Sequence, residues 1–172
     1  MTITHQVPAR QRARAGMIER ALVSGTVASV VSTATLALLA RLESKGAVQP
    51  TNSTSHVYWG KEAAEVAAAD LRHSLPGYLI HHGSAIFWAL AFEAMTDAAE
   101  RSPASLARNA AAVMGTAALL DYGLLPKRLT PGFERVLSTR STVLGFAGLA
   151  AGLVIGGLLA RQRPSRERSR RS

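Results

Sequence analysis

The feature that most constrains this sequence is a set of four long apolar stretches. Ala21–Ala40 and Ser141–Ala160 each contain 20 consecutive residues without Asp, Glu, Lys or Arg, and Ser74–Phe92 contains 19. Asn109–Leu125 has 17 residues and is interrupted by Asp121. About 20 apolar residues cross the roughly 30 Å hydrocarbon core of a bilayer. The pattern therefore predicts an all-α polytopic membrane protein, with four transmembrane helices in a small bundle.

The segments between these stretches define the expected domain organisation. We place the helices at about residues 18–42, 78–95, 104–125 and 141–160, with a long outer loop over 43–77. Segments 1–17 and 161–172 are polar and rich in Arg, and we expect them to be disordered tails. Within the outer loop, Gly46–Ser53 is rich in turn formers, and Lys61–His73 is typical of a short Ala-rich helix.

The basic charge of the chain indicates its orientation. Of the net charge of +9, residues 1–20 contribute +3 and residues 161–172 contribute +5. With both termini inside, the inner segments hold 12 Lys and Arg and the outer loops hold 8, so the positive-inside rule favours cytoplasmic termini. We expect the lipid bilayer as the main partner and anionic lipid headgroups as partners of the tails. No recognition fold surrounds the basic residues, so we do not expect nucleic-acid binding.

Small residues at helical spacing predict how the helices pack. In a membrane, such residues let two helix backbones approach closely. They are Gly25, Ser29 and Thr33 in the first helix, and Gly148, Gly152 and Gly156, which form two overlapping GxxxG steps, in the fourth. We expect helices 1 and 4 to pack through these two faces. Alternatively, the glycine face of helix 4 pairs two copies in a homo-oligomer.

Five ionisable residues are candidates for a polar or ion site, because such residues are expensive at membrane depth. They are His56, His81, His82, Glu93 and Asp121. His82 and Glu93 share one helix face, and adjacent residues diverge by about 100°, so His81 and His82 can hardly serve one point together. If the His82 face points into the bundle, this helix carries a polar track nearly across the membrane. Alternatively, the histidines lie at the wet interface, and Glu93 pairs with Arg101 or Arg108.

The remaining chemistry is restricted by what the sequence lacks. The chain has no cysteine, which excludes disulfides, thiolate metal sites and cysteine nucleophiles. It contains no HExxH metal motif and no GxSxG nucleophile motif. We therefore predict no catalytic residue and no cofactor, and leave a metal ion open.

Three segments resemble a group of small, uncharacterised four-helix inner-membrane proteins of proteobacteria. They are Pro50-Thr51-Asn52 with Ser55-His56 and Trp59-Gly60; Gly77-Tyr78 with His81-His82 and Phe87-Trp88; and Asp121-Tyr122 with Pro126-Lys127-Arg128-Leu129-Thr130-Pro131-Gly132-Phe133-Glu134. The likeness covers about residues 18–160. It implies a bacterial inner-membrane protein, and it brings no established activity or catalytic residue.

Three function classes follow, in this order of preference. The first is a non-enzymatic helix bundle with a packing, scaffold or partner-interaction role. The second is a small transporter or a proton- or metal-ion-handling protein that uses His82, Asp121 and Glu93 as a polar track. The third is a membrane enzyme with a His/Asp site at the outer, periplasmic rim, which would involve His56, His81, His82 and Asp121.

Overall fold

The computed structural model describes residues 9–96 and 101–161, and these residues are helical apart from their connections. Six α-helices are present in that part of the chain: α1 (Ala9–Leu42), α2 (Gln49–Thr54), α3 (His56–Trp59), α4 (Ser74–Met95), α5 (Pro103–Gly123) and α6 (Thr139–Arg161). Two 3₁₀ turns, Gly60–Ala64 and Phe133–Arg135, complete it. The all-α fold expected from the sequence is confirmed.

The helix ends differ from the expected ones in three places. α4 begins at Ser74 rather than near residue 78, with Pro76 in its first turn, where proline is tolerated. Residues 9–17 belong to α1, so this part of the predicted disordered tail is helical, whereas the rest of both predicted tails (1–8 and 162–172) lies outside the described residues. α5 ends at Gly123 rather than near residue 125. There the N–H groups of Leu124 and Leu125 both bond to the carbonyl of Leu120, at 3.1 and 2.9 Å. This tightening ends the helix before Pro126, which has no N–H to continue it.

Two of the helices in the described part are long and apolar enough to cross a membrane: Ala13–Leu42, within α1, and Thr139–Ala160, within α6. α4 and α5 have 22 and 21 residues, but their polar residues reduce their hydropathy. In α4 these are the two histidines and Glu93, and in α5 they include Arg108, Asn109 and Asp121. Length and composition thus support two spans, not four.

The closest helix contact joins α1 and α6 through the glycines of α6. A Cβ at Gly152 would clash with the Cα of Ala28, and a Cβ at Gly156 would lie 2.5 Å from the Cα of Ser24. Ser32 lies on the same face of α1 and donates a hydrogen bond of 3.4 Å to the Gly145 carbonyl. The two backbones approach as closely as small residues allow.

The small-residue face of α1 that the sequence analysis assigned to this contact meets a different helix. A Cβ at Gly25 would lie 2.7 Å from the Cα of Ile86 and 3.1 Å from the Cβ of Ala89, so this face packs on α4. Ser29 is buried beside it, and Thr33 is half-buried. α1 therefore has two small faces about 100° apart, because consecutive residues diverge by that angle. α4 packs mainly on α1, and α5 packs mainly on α6.

One end of the bundle is covered by residues 43–73 and 124–138, which we call the cap. At its centre, the Asn52 side-chain amide donates to the carbonyls of Val66 and Ala68, at 2.8 and 2.9 Å, and accepts from the Ser74 hydroxyl at 2.7 Å. These bonds hold residues 65–73 in irregular chain, so the predicted Lys61–His73 helix is wrong. Of the segment Gly46–Ser53, residues 46–48 are non-helical as expected, whereas α2 begins at Gln49 with Pro50 in its first turn.

Glu43 joins the cap end of α1 to the start of α6. Its carboxylate accepts hydrogen bonds from the Ser138 N–H at 3.0 Å and from the hydroxyls of Ser138 and Ser141 at 2.6 Å each. These bonds stabilise the ionised form and so lower the pKa of Glu43. The negative charge also lies at the N-terminus of α6, where the helix dipole favours it.

We expect Gly152→Ala to lower the free energy of unfolding by about 1–3 kcal/mol, because the added methyl forces α1 and α6 apart. The matched control is Gly115→Ala, since nothing lies within 4 Å of a Cβ at that position. Its stability should be unchanged or slightly raised. Unfolding in mixed micelles with increasing SDS measures both. Equal stability of the two variants would contradict the α1–α6 contact.

Glu43→Gln should destabilise the protein in a way that depends on pH. A carboxyl whose folded pKa is lowered contributes stability above its unfolded pKa, and that contribution is lost as the pH falls through the folded value. The difference in Tm between wild type and Glu43→Gln should therefore be full at pH 7 and shrink below pH 4.5, the ordinary pKa of this group. Glu65→Gln, at an exposed cap carboxylate, is the control. A Glu43→Gln difference that is constant from pH 7 to pH 3 would argue against the clamp.

Candidate functional site

A cavity of about 260 Å³ lies at the cap end, between α4, α5, α6 and the cap. Its polar lining comes from both helices and cap, and consists of Thr54, Tyr58, His81, Ser84, Asp121 and Thr130. Its apolar lining is partly aromatic and includes Ile80, Trp88, Met114, Phe133, Phe146 and Leu149. Two of the five candidate residues, His81 and Asp121, thus share one cavity.

His81 belongs to the buried face of α4. Gly77, His81, Ala85 and Ala89 follow one another at four-residue steps and are all buried, with His81 only 8% exposed. Close contact between Gly77 and the Thr51 carbonyl holds this end of α4 against α2. The Nε2 atom of His81 is buried and has no hydrogen bond of normal geometry within the described residues, although the imidazole lies within hydrogen-bonding reach of the Ser29 backbone in α1.

The face of α4 that carries His82 does turn toward α1, because Ile86 and Ala89 on that face lie against Gly25. His82 itself, however, does not point into the cavity. It is half-buried and stacks on Tyr78 with 5.7 Å between ring centroids. The sequence does not decide which of the two histidines points into the bundle. Each lies on a helix face that continues through small or apolar residues. The face of α4 that meets α2 contains Gly77, which lies against the Thr51 carbonyl, and the face that meets α1 contains Ile86 and Ala89.

Asp121 lies in the last turn of α5, on the opposite wall from α4. It is half-buried, and within residues 9–96 and 101–161 no hydrogen bond to its carboxylate is found. A neighbouring carboxylate, Glu134, is held by the Thr130 hydroxyl at 2.6 Å and the Tyr122 hydroxyl at 3.3 Å. The sequence analysis did not single out Glu134. The one indication in the sequence was that Glu134 follows Thr130 by four residues, a spacing at which the hydroxyl can bond to the carboxylate.

His56 is buried in the cap, outside the cavity lining. Its Nδ1 lies 2.9 Å from the Ser53 carbonyl, which can only accept, so Nδ1 carries the proton. Gly132, with φ of +94°, packs against the same ring, and a Cβ there would lie 2.7 Å from Nδ1. His56 therefore ties the two cap segments together.

Glu93 lies about 18 Å from His81 along α4, at the opposite end of the bundle. Arg20 donates to its carboxylate from Nε at 3.1 Å, and the buried Arg101 donates to the same oxygen. Arg101 also donates to the Gly157 carbonyl at 3.1 Å, which connects this cluster to α6. Glu93 thus pairs with Arg101, as in the alternative interpretation of the sequence in which Glu93 is a neutralised structural residue.

The path from His81 to Glu93 on the buried face of α4 is apolar. Ala85, Ala89 and Phe92 fill it and are almost completely buried. On the face that carries His82, this histidine is separated from Glu93 by Ile86 and Ala89, and Asp121 lines a cavity that His82 does not line. His82, Asp121 and Glu93 therefore do not form one continuous polar track in the described structure.

The cavity does not have the ligands of a typical metal centre. In the part of the chain that the structure describes, no three His, Cys, Asp or Glu side chains are grouped so that they could hold an ion. Structural and catalytic zinc sites use at least three protein ligands. What the cavity offers is one carboxylate, one imidazole and aromatic walls, a set suited to binding an organic molecule that donates hydrogen bonds.

In comparisons with known proteins, no protein-family model, no curated protein and no solved structure matches this chain. Its function is therefore argued from its own residues and geometry.

Glu93→Gln should lower the free energy of unfolding by about 3 kcal/mol or more, because it leaves a buried arginine without its counter-charge. Glu62→Gln is the matched control. It removes the exposed pair with Arg72, in which the Glu62 side chain is 54% exposed, and such pairs contribute about 0–1 kcal/mol. SDS-induced unfolding compares the two. A cost for Glu93→Gln no larger than that for Glu62→Gln would show that the cluster is not structural.

Proposed function

We propose that this chain is a four-span integral protein of the bacterial inner membrane, with cytoplasmic termini and a periplasmic cap, that acts as a non-enzymatic, partner- or ligand-binding helix bundle. One observation supports the membrane assignment above all. Large apolar side chains are exposed on all four long helices, whereas the serines of α1 and several polar side chains of α4 and α5 are buried.

The outward side chains are those that lipid would contact. They include Val30 and Leu38 in α1, Leu79 and Phe87 in α4, Leu119 in α5, and Val143 and Ile155 in α6, which are between 45% and 75% exposed. By contrast, Ser24, Ser29 and Ser32 are completely buried within α1. Large apolar patches are unfavourable in water, and membrane helices pack through small and hydroxylated residues.

The same distribution supports α4 and α5 as spans. Their polar residues His81, Glu93 and Asn109 are at most 8% exposed, so they lower the hydropathy of the helices without facing lipid. The exposed Arg108 lies near the start of α5, where a long side chain can reach the headgroups. At about 1.5 Å per residue, each helix is long enough to cross the hydrocarbon core.

The contacts of the cap arginines explain a departure from the positive-inside rule. Arg128 donates from Nε and Nη2 to the Val57 carbonyl at 3.2 and 3.1 Å, and Arg135 donates to the Lys127 carbonyl at 2.8 Å. Arg72 pairs with Glu62 at 3.0 Å and lies over the ring of Trp59. Because these cap arginines have structural roles, we do not count them as topology signals. The basic residues of the tails then favour cytoplasmic termini. The bacterial inner membrane itself is inferred from the resemblance of the three segments.

The non-enzymatic role is supported by the way the polar residues are used. Glu93 pairs with a buried arginine, His56 bonds within the cap and His82 stacks on Tyr78. His81 and Asp121 line a mostly apolar cavity. We do not extend the proposal to a homo-oligomer through α6, because its Gly152 and Gly156 contact α1 of the same chain.

Because the chain has no cysteine, single cysteines can test the topology in intact cells. Ala69 and Lys127 are exposed in the two cap segments, and Ala104 is exposed at the opposite end. A membrane-impermeant thiol reagent should label Ala69→Cys and Lys127→Cys but not Ala104→Cys, with lysed cells as the control for reactivity. The reverse pattern would invert the protein. Labelling of Ala69→Cys without Lys127→Cys would mean that the two cap segments are on different sides of the membrane.

A further inference from the structure

We infer that the cavity between α4, α5, α6 and the cap binds a small organic cation, a protonated amine on an apolar body. The inference rests on the composition of its wall, on the two ionisable groups that line it, Asp121 and His81, and on the way the cavity opens. The proposed membrane topology adds only the route by which the ligand arrives.

The charge of the wall selects a cation. Asp121 is the acidic residue of the lining, and among the described lining residues there is no Lys or Arg. A carboxylate that is partly withdrawn from water and has no hydrogen-bond donor is costly. An ammonium group provides both the opposite charge and up to three donors, so it would satisfy Asp121 in a way that a neutral or anionic ligand cannot.

His81 provides a second polar contact. It is nine-tenths buried, lines the same cavity, and its Nε2 has no hydrogen bond of normal geometry within the described residues. A neutral imidazole has one donor and one acceptor nitrogen. A ligand with several N–H donors can therefore bond to an imidazole nitrogen while its charge pairs with Asp121.

The remaining wall suits an apolar body. Tyr58, Trp88, Phe133 and Phe146 contribute aromatic surface, and aromatic faces attract cations as well as apolar groups. The volume of about 260 Å³ lies just below the range of roughly 300–1,000 Å³ typical of pockets for drug-sized ligands. The ligand should therefore be smaller than a typical drug, with a single ring or a short chain.

The cavity has an opening that needs no unfolding. Ser84 lines it and is nevertheless exposed, because α4 packs mainly on α1 and α5 on α6, which leaves the space between α4 and α5 open. If α4 and α5 span the membrane as proposed, this opening faces lipid about 15 Å below the cap end of α4, whereas Asp121 lies in the last turn of α5, close to the interface. An amphiphilic amine concentrates there, with its charge at the interface and its apolar part in lipid.

The test uses three probes of similar size and different charge on the purified full-length protein in a non-ionic detergent at pH 7. They are phenethylamine (cationic), 2-phenylethanol (neutral) and 3-phenylpropionate (anionic), and isothermal titration calorimetry measures each. Phenethylamine should bind at least 10-fold more tightly than 2-phenylethanol, and 3-phenylpropionate should not bind.

Two variants and a control locate the site. Asp121→Asn should weaken phenethylamine at least 10-fold and leave 2-phenylethanol unchanged. Ser84→Trp, at an exposed position where a large side chain need not disturb packing, should block all binding to the cavity. Glu65→Gln removes an exposed cap carboxylate outside the cavity and should change nothing. Equal Tm values would show that the variants are folded.

Three results would overturn the inference. They are equal affinity for the amine and the alcohol, as expected of a pocket for a lipid or detergent chain; amine binding that survives Asp121→Asn; and no binding of any probe. Because these measurements use purified protein, they do not depend on topology. Selective amine binding with a contrary cysteine-labelling pattern would refute the proposed function alone, and the expected labelling without amine binding would refute the cavity inference alone.

Discussion

The close contact between the backbones of α1 and α6 is the constraint on which the rest of the structure depends. It is possible because Gly152 and Gly156 have no side chain where Ala28 and Ser24 lie. If the bundle lies in lipid as proposed, such van der Waals contact and hydrogen bonds like that from Ser32 to Gly145 replace the hydrophobic drive, because lipid is as apolar as the helices. The other two long helices attach to this pair from outside, α4 to α1 and α5 to α6.

The cavity is a consequence of that arrangement. Since α4 and α5 are attached to different members of the central pair, they do not close against each other at the cap end. At the other end, the Arg20–Glu93–Arg101 cluster ties α1, α4 and the start of α5 together and reaches α6 through Gly157. The bundle is therefore closed at the end near the tails and open at the cap end, where the cap residues complete the wall.

Much of the fold could be predicted from the sequence, because it depends on local pattern. Length and absence of charge identify α1 and α6, and Pro103 and Pro126 bracket α5. The predictions failed where a distant residue overrides local preference. The Ala-rich segment after Lys61 has a helical composition. Its residues 65–73 are nevertheless irregular, because the Asn52 amide donates hydrogen bonds to the carbonyls of Val66 and Ala68. No propensity of residues 65–73 encodes that contact.

The candidate site shows the same division. The sequence by itself determined which ionisable residues lie in apolar segments, where their burial costs free energy. His81 and Asp121 are two of the five candidates selected in this way. Only the tertiary structure decided that these two share a cavity, that Glu93 is neutralised by two arginines, and that His56 is a tie within the cap. The physical reason is that a helical sequence specifies angles between its own residues, about 100° per step. It does not specify which side of the helix will contact another helix. That is settled only when Gly152 and Gly156 of α6 pack on α1 and Gly77 of α4 packs on α2.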